Sequence, residues 1–508
     1  MKKKLLAGLL FISFVAKAQI TDLNKLSKGK FYSSDAIKDS NNNIKGYFFL
    51  FETDKIAKET YELEYVVLDE NLAKVTNGFI TEMKYESWAM DAKGIKVVVS
   101  LFDNKLLIRF NDDFGPGMYE VYKRFRTLDL KTNKLSEPFI YNNDKIIVNP
   151  TFDRKLKNYN GNESKNMSYY NGVGLMVNAT QLDKTSKNET GYLSKLDENF
   201  NPVWKTIYED GTTKKKTRVI TYLNSDKDVI VMFNHIQKNW AKMLNAFSVL
   251  IFNSKDGKLI TEFLFPNMED FAYKVVDVKL TDNEVILLGN FSAKSEFGYT
   301  NDTDNTGLFS YRLDKTTGKM KDKNFIYWQD IGAKLDIKAN GYIKNEGHIF
   351  IHNMLPMSDG RIIAVCEAFL QQPITTNNMY FLELSKDLKL NQVFEVDKFK
   401  NKFPGTSAHS NDIKKYGMFD FMDYQNLGDD EFLFFLNDNE KGSRNRKKST
   451  LYGVVSYADG KFNNQTLNLK TETSTISAFP SKKGYITLVE NFDEKGKSTE
   501  IRLEKINY

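Results

Sequence analysis

The sequence predicts an all-β chain folded as a single β-propeller, most simply with eight blades of four antiparallel strands. Three observations carry that expectation. Aromatic residues make up 13% of the 508 residues, with 38 Phe and 26 Tyr against 9 Pro. That composition favours strands over disorder. A hairpin whose first strand ends in Leu-Asp recurs along the chain, at Leu68-Asp69, Leu128-Asp129, Leu196-Asp197 and Leu313-Asp314. Finally, a tight turn between two apolar runs, a longer loop and then a hairpin of this kind return about eight times. Four-stranded units repeating in this way mark a radial array.

Taken in order, the chain opens with a segment that reads as a secretory signal peptide. Lys2 to Lys4 form a charged start, Leu5 to Val15 an apolar run, and Ala16-Lys17-Ala18 a small-residue cleavage site. The run is too short to span a bilayer comfortably. The expected organisation is a signal at residues 1–18 and a propeller domain at 19–508. Gln19 rather than Cys follows the site, which argues against a lipoprotein. The segment carries Lys2, Lys3, Lys4 and Lys17 and no acid, so its removal takes the net charge from +6 to +2. Such a near-balanced chain gives no reason to expect nucleic acid as a partner. Cys366 is alone, which excludes an internal disulfide and suits a small core residue.

The expected second strands of the units begin near residues 46, 105, 172, 229, 284, 361, 431 and 485, a mean step of about 63. Asp103-Asn104, Asp282-Asn283 and Asp359-Gly360 supply turn chemistry before several of them. The third unit is the least regular. Its first strand is placed at Lys145 to Asn149, and a polar insertion, Thr151 to Asn171, then falls between the first and second strands. Seven blades remain an alternative for that reason. The eighth unit supplies only three strands before Tyr508. Closure removes exposed sheet edges, so Gln19 to Leu26 is expected to add the outer strand of the last blade.

With strands A to D running outward, the B–C loops and the D–A connections share one face. The longer B–C loops are expected at Gln181 to Thr190, Ile236 to Leu244, Ser292 to Thr306, Leu370 to Asn377 and Asp438 to Ser449. Long D–A connections are Gln329 to Gly347 and Asp397 to Tyr416. Loops on a rigid scaffold carry function. The candidate ligand-binding residues are Trp240, Phe297, Tyr299 and His409 in these segments, with Arg444 and Arg446 in the basic run Lys441 to Lys448. Aromatics there would stack on sugar rings or cover a peptide, and the arginines would hold an acidic group. Packing between blades and a solvated loop are the simpler readings of the same residues.

Asn301-Asp302-Thr303-Asp304-Asn305-Thr306-Gly307 resembles the start of a calcium loop, with Asp302 and Asp304 as ligands. The twelfth position from Asp302 is Leu313, where that motif needs Glu, so calcium stays an option beside a plain polar loop. His348 and His352 are four apart on an expected strand, about 13 Å, too far for one zinc. No zinc-protease helix motif, nucleophile elbow or phosphate loop is present.

The run Leu313-Asp314-Lys315-Thr316-Thr317-Gly318-Lys319 is similar to hairpins of quinoprotein-type and other secreted bacterial β-propellers. Quinoprotein blades also carry a regular Trp docking pattern, and the four Trp residues here do not repeat in register. As a whole the chain resembles uncharacterised secreted propeller-like proteins of Gram-negative bacteria. The signal segment implies an exported protein, periplasmic or extracellular, and the irregular Trp pattern leaves no cofactor expected beyond the calcium option. The expected function is a monomeric binding module for a surface glycan or an envelope protein, with no transmembrane segment in the mature chain. The alternative is a secreted enzyme acting on a polysaccharide through carboxylates on the same face. An enzyme predicts two carboxyls converging in a pocket about 5–10 Å apart, whereas a binding module predicts a face without such a pair.

Overall fold

The computed structural model describes residues 20–506 apart from 40–42, 58–59, 84–95, 114–120, 143, 151–164, 183–188, 213–216, 240–241, 267–269, 294–304, 404–409, 416, 440–449, 470–473 and 493–498. Eight antiparallel sheets follow one another along the chain, at residues 30–83, 96–148, 167–212, 217–264, 271–327, 342–402, 421–468 and 475–505. They are blades 1 to 8 of one propeller, so the seven-blade alternative falls. First strands touch first strands: Lys30–Lys38 meets Lys96–Phe102, and Thr217–Ser225 meets Phe271–Leu280, which in turn meets Gly347–Pro356. This places strand A of each blade innermost.

Apolar clusters hold the ring, with one at each seam among the described residues. Phe48, Leu63 and Val67 of blade 1 pack with Val97, Ile108 and Leu128 of blade 2. At the closing seam Tyr47, Phe49 and Val66 of blade 1 pack with Val489, Ile501 and Leu503 of blade 8. Alternate residues of a strand point to opposite faces. Each blade is therefore apolar on both sides, and its strands read as nearly continuous hydrophobic runs. The expected N-terminal closure is present but short. Ile20–Asp22 pairs antiparallel with Thr499–Lys505 as the outermost strand of blade 8, and Leu23–Leu26 then turns into one helical turn.

The recurrent hairpin is an aspartate-capped turn. Asp314 Oδ1 accepts from Thr316 N at 3.1 Å, Thr317 N at 2.8 Å and Thr317 Oγ1 at 2.9 Å. Backbone donors favour the carboxylate, and with help from Lys321 they hold Asp314 down at about 2. Gly318 has φ +67, and a Cβ there would collide with the Thr261 side chain of blade 4, so only glycine fits. Asp129 makes the same turn, Asp69 and Asp197 cap a variant by accepting from the second and fourth residues on, and Asn253 and Ser385 replace the aspartate in blades 4 and 6.

Three sequence expectations are corrected. Lys145–Val148 pairs with Phe139–Asn142 as a fifth strand outside blade 2. Strand A of blade 3 is Met167–Tyr170, paired with Gly174–Leu182. Residues 151–166 thus come before strand A in the sequence, and the expected insertion between the first and second strands falls. An edge strand and an inner strand of similar apolarity differ only in what they pack against, which local sequence does not state. Finally, two expected loops are paired strand. Val229–Asn239 meets Lys242–Asn253, and Ile362–Gln371 meets Ile374–Leu384, so the segments Ile236 to Leu244 and Leu370 to Asn377 are hairpin ends. Among the described residues no helix is long and apolar enough to cross a membrane.

Candidate functional face

The B–C/D–A face is best defined between blades 6 and 7. The connection leaving strand D of blade 6, Leu390–Val396, reaches strand A of blade 7, Phe421–Gly428. On the way Asn401–Lys402 pairs with Thr375 and Thr376 at the head of strand C, and Ser410–Lys415 forms a short helix. Lys398 near its start and Asp420 at its end turn inward to meet Glu367, which strand B places beneath them.

Glu367 is fully buried. Its Oε1 accepts from Asp420 N at 3.1 Å and lies 3.3 Å from Lys398 Nζ. Its Oε2 accepts from Phe421 N at 3.2 Å and stands 3.1 Å from His352 Nε2. Asp420 Oδ2 accepts from Lys398 Nζ at 2.6 Å and from Thr376 Oγ1 and Asn401 Nδ2, each at 2.8 Å. Two carboxyls therefore converge on one ammonium. Rings frame them: Phe419 stacks on Phe350 at 4.4 Å, and His352 lies 5.0 Å from Phe419 and 4.8 Å from Phe421.

The protonation states follow from burial and pairing. Burial raises the Glu367 carboxyl, but the Lys398 charge and the His352 contact outweigh it and hold Glu367 below the carboxylate range. Burial also raises Asp420, and there it prevails, because the Glu367 charge adds to it. His352 is lowered by burial in spite of Glu367, so at neutral pH it is an uncharged ring. Lys398 is raised: burial lowers it, but two facing carboxylates do more. An unpaired buried charge is expensive, and here every charge has a partner. The unit is a buried, charge-paired staple that pins the connection onto blade 6.

Signals for it existed in the sequence. Glu367 interrupts the apolar run Ile362 to Phe369, and a lone charge in such a run needs a buried partner. The partners lie in the 6–7 connection and are fixed only by the fold. Cys366, beside Glu367, is fully buried, as expected for a core residue, and burial pushes its thiol up. Trp328 is fully buried in the cluster between blades 5 and 6. Trp240, Phe297, Tyr299, His409, Arg444, Arg446, Asp302 and Asp304 all lie outside the described residues. Among the described residues no group of three His, Cys, Asp or Glu side chains is placed to hold a metal.

The inner strands carry a second device. Strand A is bulged in several blades, and polar side chains near the bulge reach the next blade's inner strand. Asp277 Oδ2 accepts from Met354 N at 2.6 Å, Asp35 Oδ2 from Val99 N at 2.8 Å, and Asn224 Nδ2 donates to Val278 O at 2.7 Å. Burial pushes Asp277 up to about 6, against the pull of Met354 N.

The chain belongs to a family of unknown function, DUF6770, whose model matches residues 1–379 and 373–507. No curated protein matches it in sequence. Among solved structures it is similar to the Dos1 propeller, with 10% identity and a TM-score of 0.43, over 94% of this chain and 93% of that one. It is also similar to the polysaccharide lyase Uly1, at 10% identity and a TM-score of 0.38, over 94% and 98%. The NanB sialidase from Streptococcus pneumoniae follows at 11% identity and a TM-score of 0.32, over 96% and 97%.

Proposed function

We propose that this family member is an exported binding module whose B–C/D–A face engages a surface glycan. The observation that supports it best is the state of Glu367 and Asp420. These carboxyls converge on that face, as the enzyme reading asks, yet both are buried beneath the 6–7 connection and tied to Lys398, backbone N–H groups and side-chain amides. A glycoside-cleaving pair must reach the scissile oxygen and a water from opposite sides. Carboxylates held in this way serve instead as a rigid floor for the connection above them, and a rigid scaffold lowers the ordering cost of recognition.

Export is the companion proposal and rests on the pattern of Met1 to Ala18. The test is a thermal-unfolding screen of the purified protein against neutral and acidic oligosaccharides. A glycan at about 100 times its Kd should stabilise the fold by ~2.7 kcal/mol. A raised midpoint without any cleaved product supports the binding module. Cleavage of the oligosaccharide would overturn it in favour of the enzyme, and a flat screen with capture of an envelope protein would overturn the glycan.

A further inference from the structure

The seam between blades 2 and 3 gathers positive charge from three segments. Arg109 comes from strand B of blade 2, Lys105–Asp113, and Lys123 from strand C, Val121–Asp129. Lys165 stands just before strand A of blade 3, Met167–Tyr170. Antiparallel register sets Asn111 opposite Lys123 and Arg109 opposite Phe125. Directly opposed residues share a face, so Arg109, Asn111 and Lys123 share the side of Phe125, which packs with Met167, Leu175 and Val177 of blade 3. Lys165 is fastened there: its N–H donates to Tyr141 O at 2.8 Å, and its neighbour Asn166 accepts from Arg109 Nη1 through Oδ1 at 2.6 Å. Lys123 is two residues into its strand and Lys165 leads into the next blade. Both positions belong to the B–C/D–A face.

Several polar atoms in this seam are unmet, Tyr141 Oη among them, and two lie on strand B of blade 2. Arg109 Nε and Asn111 Oδ1 are buried without a hydrogen-bond partner among the described residues, and Asn111 as a whole is 7% exposed. Such atoms ask for a reason. One is a donor on a cation and the other an acceptor. They sit two residues apart on one strand face, about 7 Å along the chain. Burial, then the charges of Arg109 and Lys165, hold the Lys123 ammonium below the lysine range. Burial lowers Arg109 too, with Asp35 pulling the other way. Lys123 and Lys165 have other contacts as well, so the cluster is defined by Arg109, Asn111 and the convergence of three cations.

We propose that this cluster is the subsite for a hexuronate residue of an acidic glycan, its carboxylate on Arg109 and Lys123 and one of its hydroxyls donating to Asn111 Oδ1. The carboxylate would supply the acceptor that Arg109 Nε lacks and relieve the mutual repulsion of the cations. The hydroxyl would supply the missing donor. A bare oxyanion meets only the first need. The subsite deepens the glycan reading above and rests on it.

The experiment is titration calorimetry of the purified protein with oligogalacturonate and oligoglucuronate. Neutral oligosaccharides of equal length, inorganic sulfate and inorganic phosphate are run at matched ionic strength. The uronates should bind and the neutral sugars should bind at least about tenfold more weakly, since charge-assisted hydrogen bonds are the strong ones. Arg109→Gln and Lys123→Gln should each lower uronate affinity at least about tenfold, and Lys123→Arg should restore most of the loss. Melting curves check that each variant is folded. Uronate binding indifferent to both Gln variants would overturn this subsite and leave the glycan reading standing. Sulfate or phosphate bound while the uronates are silent would overturn the sugar. Silence from every glycan, neutral and acidic, would remove the underlying reading itself.

Discussion

Two seams of the same ring treat charge in opposite ways. Between blades 6 and 7 each ionised group is matched: Lys398 sits between Glu367 and Asp420, Thr376 and Asn401 donate to the same Asp420 oxygen that Lys398 holds, and the other Glu367 oxygen accepts from Phe421 N. Between blades 2 and 3 cations face one another, and Arg109 Nε and Asn111 Oδ1 have no partner among the described residues. The backbone is alike in both places, a six-stranded sheet packed on a four-stranded one through apolar faces. What differs is whether polar groups were completed from within the chain. A completed network rigidifies, while an incomplete one is destabilising until something else completes it. The first therefore reads as scaffold and the second as a waiting site.

The contrast breaks most forcefully at Lys398. Lys398→Met should leave two buried carboxylates facing each other without their cation. Removing one partner of a buried charge pair costs about 3–5 kcal/mol, and the melting temperature should fall by on the order of 5 °C or more. Next in size is a pair of variants in the same network. Glu367 is held low and Asp420 is raised, so Glu367→Gln removes a favoured charge and Asp420→Asn a reluctant one. Glu367→Gln should lose about 2–3 kcal/mol by denaturant titration and Asp420→Asn clearly less. Equal losses would mean that the two carboxylates are not distinguished in the way their surroundings imply.

How much of this was legible in the sequence depended on range. The capped hairpins were, because Asp314 and the N–H groups it binds lie within three residues. Blade number and ring closure were legible too, since repetition needs no knowledge of contacts. Strand A of blade 3 was missed because its four residues, Met167–Tyr170, sit behind a polar stretch and look no more strand-like than Lys145–Val148. Glu367 in its apolar run and Arg109 after Leu106-Leu107-Ile108 were both visible as oddities. Their partners, 53 residues away for Asp420 and 57 for Asn166, were not, because only the packing of one blade on the next brings them together.

Asp277 is an intermediate case, a buried carboxyl at the seam of blades 5 and 6 held by neutral donors. Its folded pKa of about 6 lies above the ordinary 3.8. Between about pH 4 and 6 the folded chain binds more protons than the unfolded one, so this group makes stability fall as pH rises through that window. A displacement of that size corresponds to about 2–3 kcal/mol between the two protonation states. Asp277→Asn, which can still accept from Met354 N, should flatten that part of the stability curve and leave the variant more stable than the parent at pH 7. Unfolding midpoints at pH 4, 5, 6 and 7 would show it, and an unchanged slope would count against the raised value.

The smallest effect sharpens the contrast most, because its sign is reversed. Lys123 is held below the ordinary lysine range by burial and by Arg109 and Lys165, so the folded state disfavours its charge. Lys123→Gln should therefore leave the unliganded protein no less stable, and on the order of 0.5–1 kcal/mol more stable, as site residues often do when neutralised. Linkage gives the same sign. A lysine depressed on folding adds stability as pH rises from its folded pKa toward 10.5, and the variant should lose that rise. A charge neutralised in the 6–7 network costs stability, and one neutralised in the 2–3 cluster returns some. If Lys123→Gln instead destabilised the protein as Lys398→Met does, the cluster would be a second staple completed by the chain itself, and its cations would need no ligand.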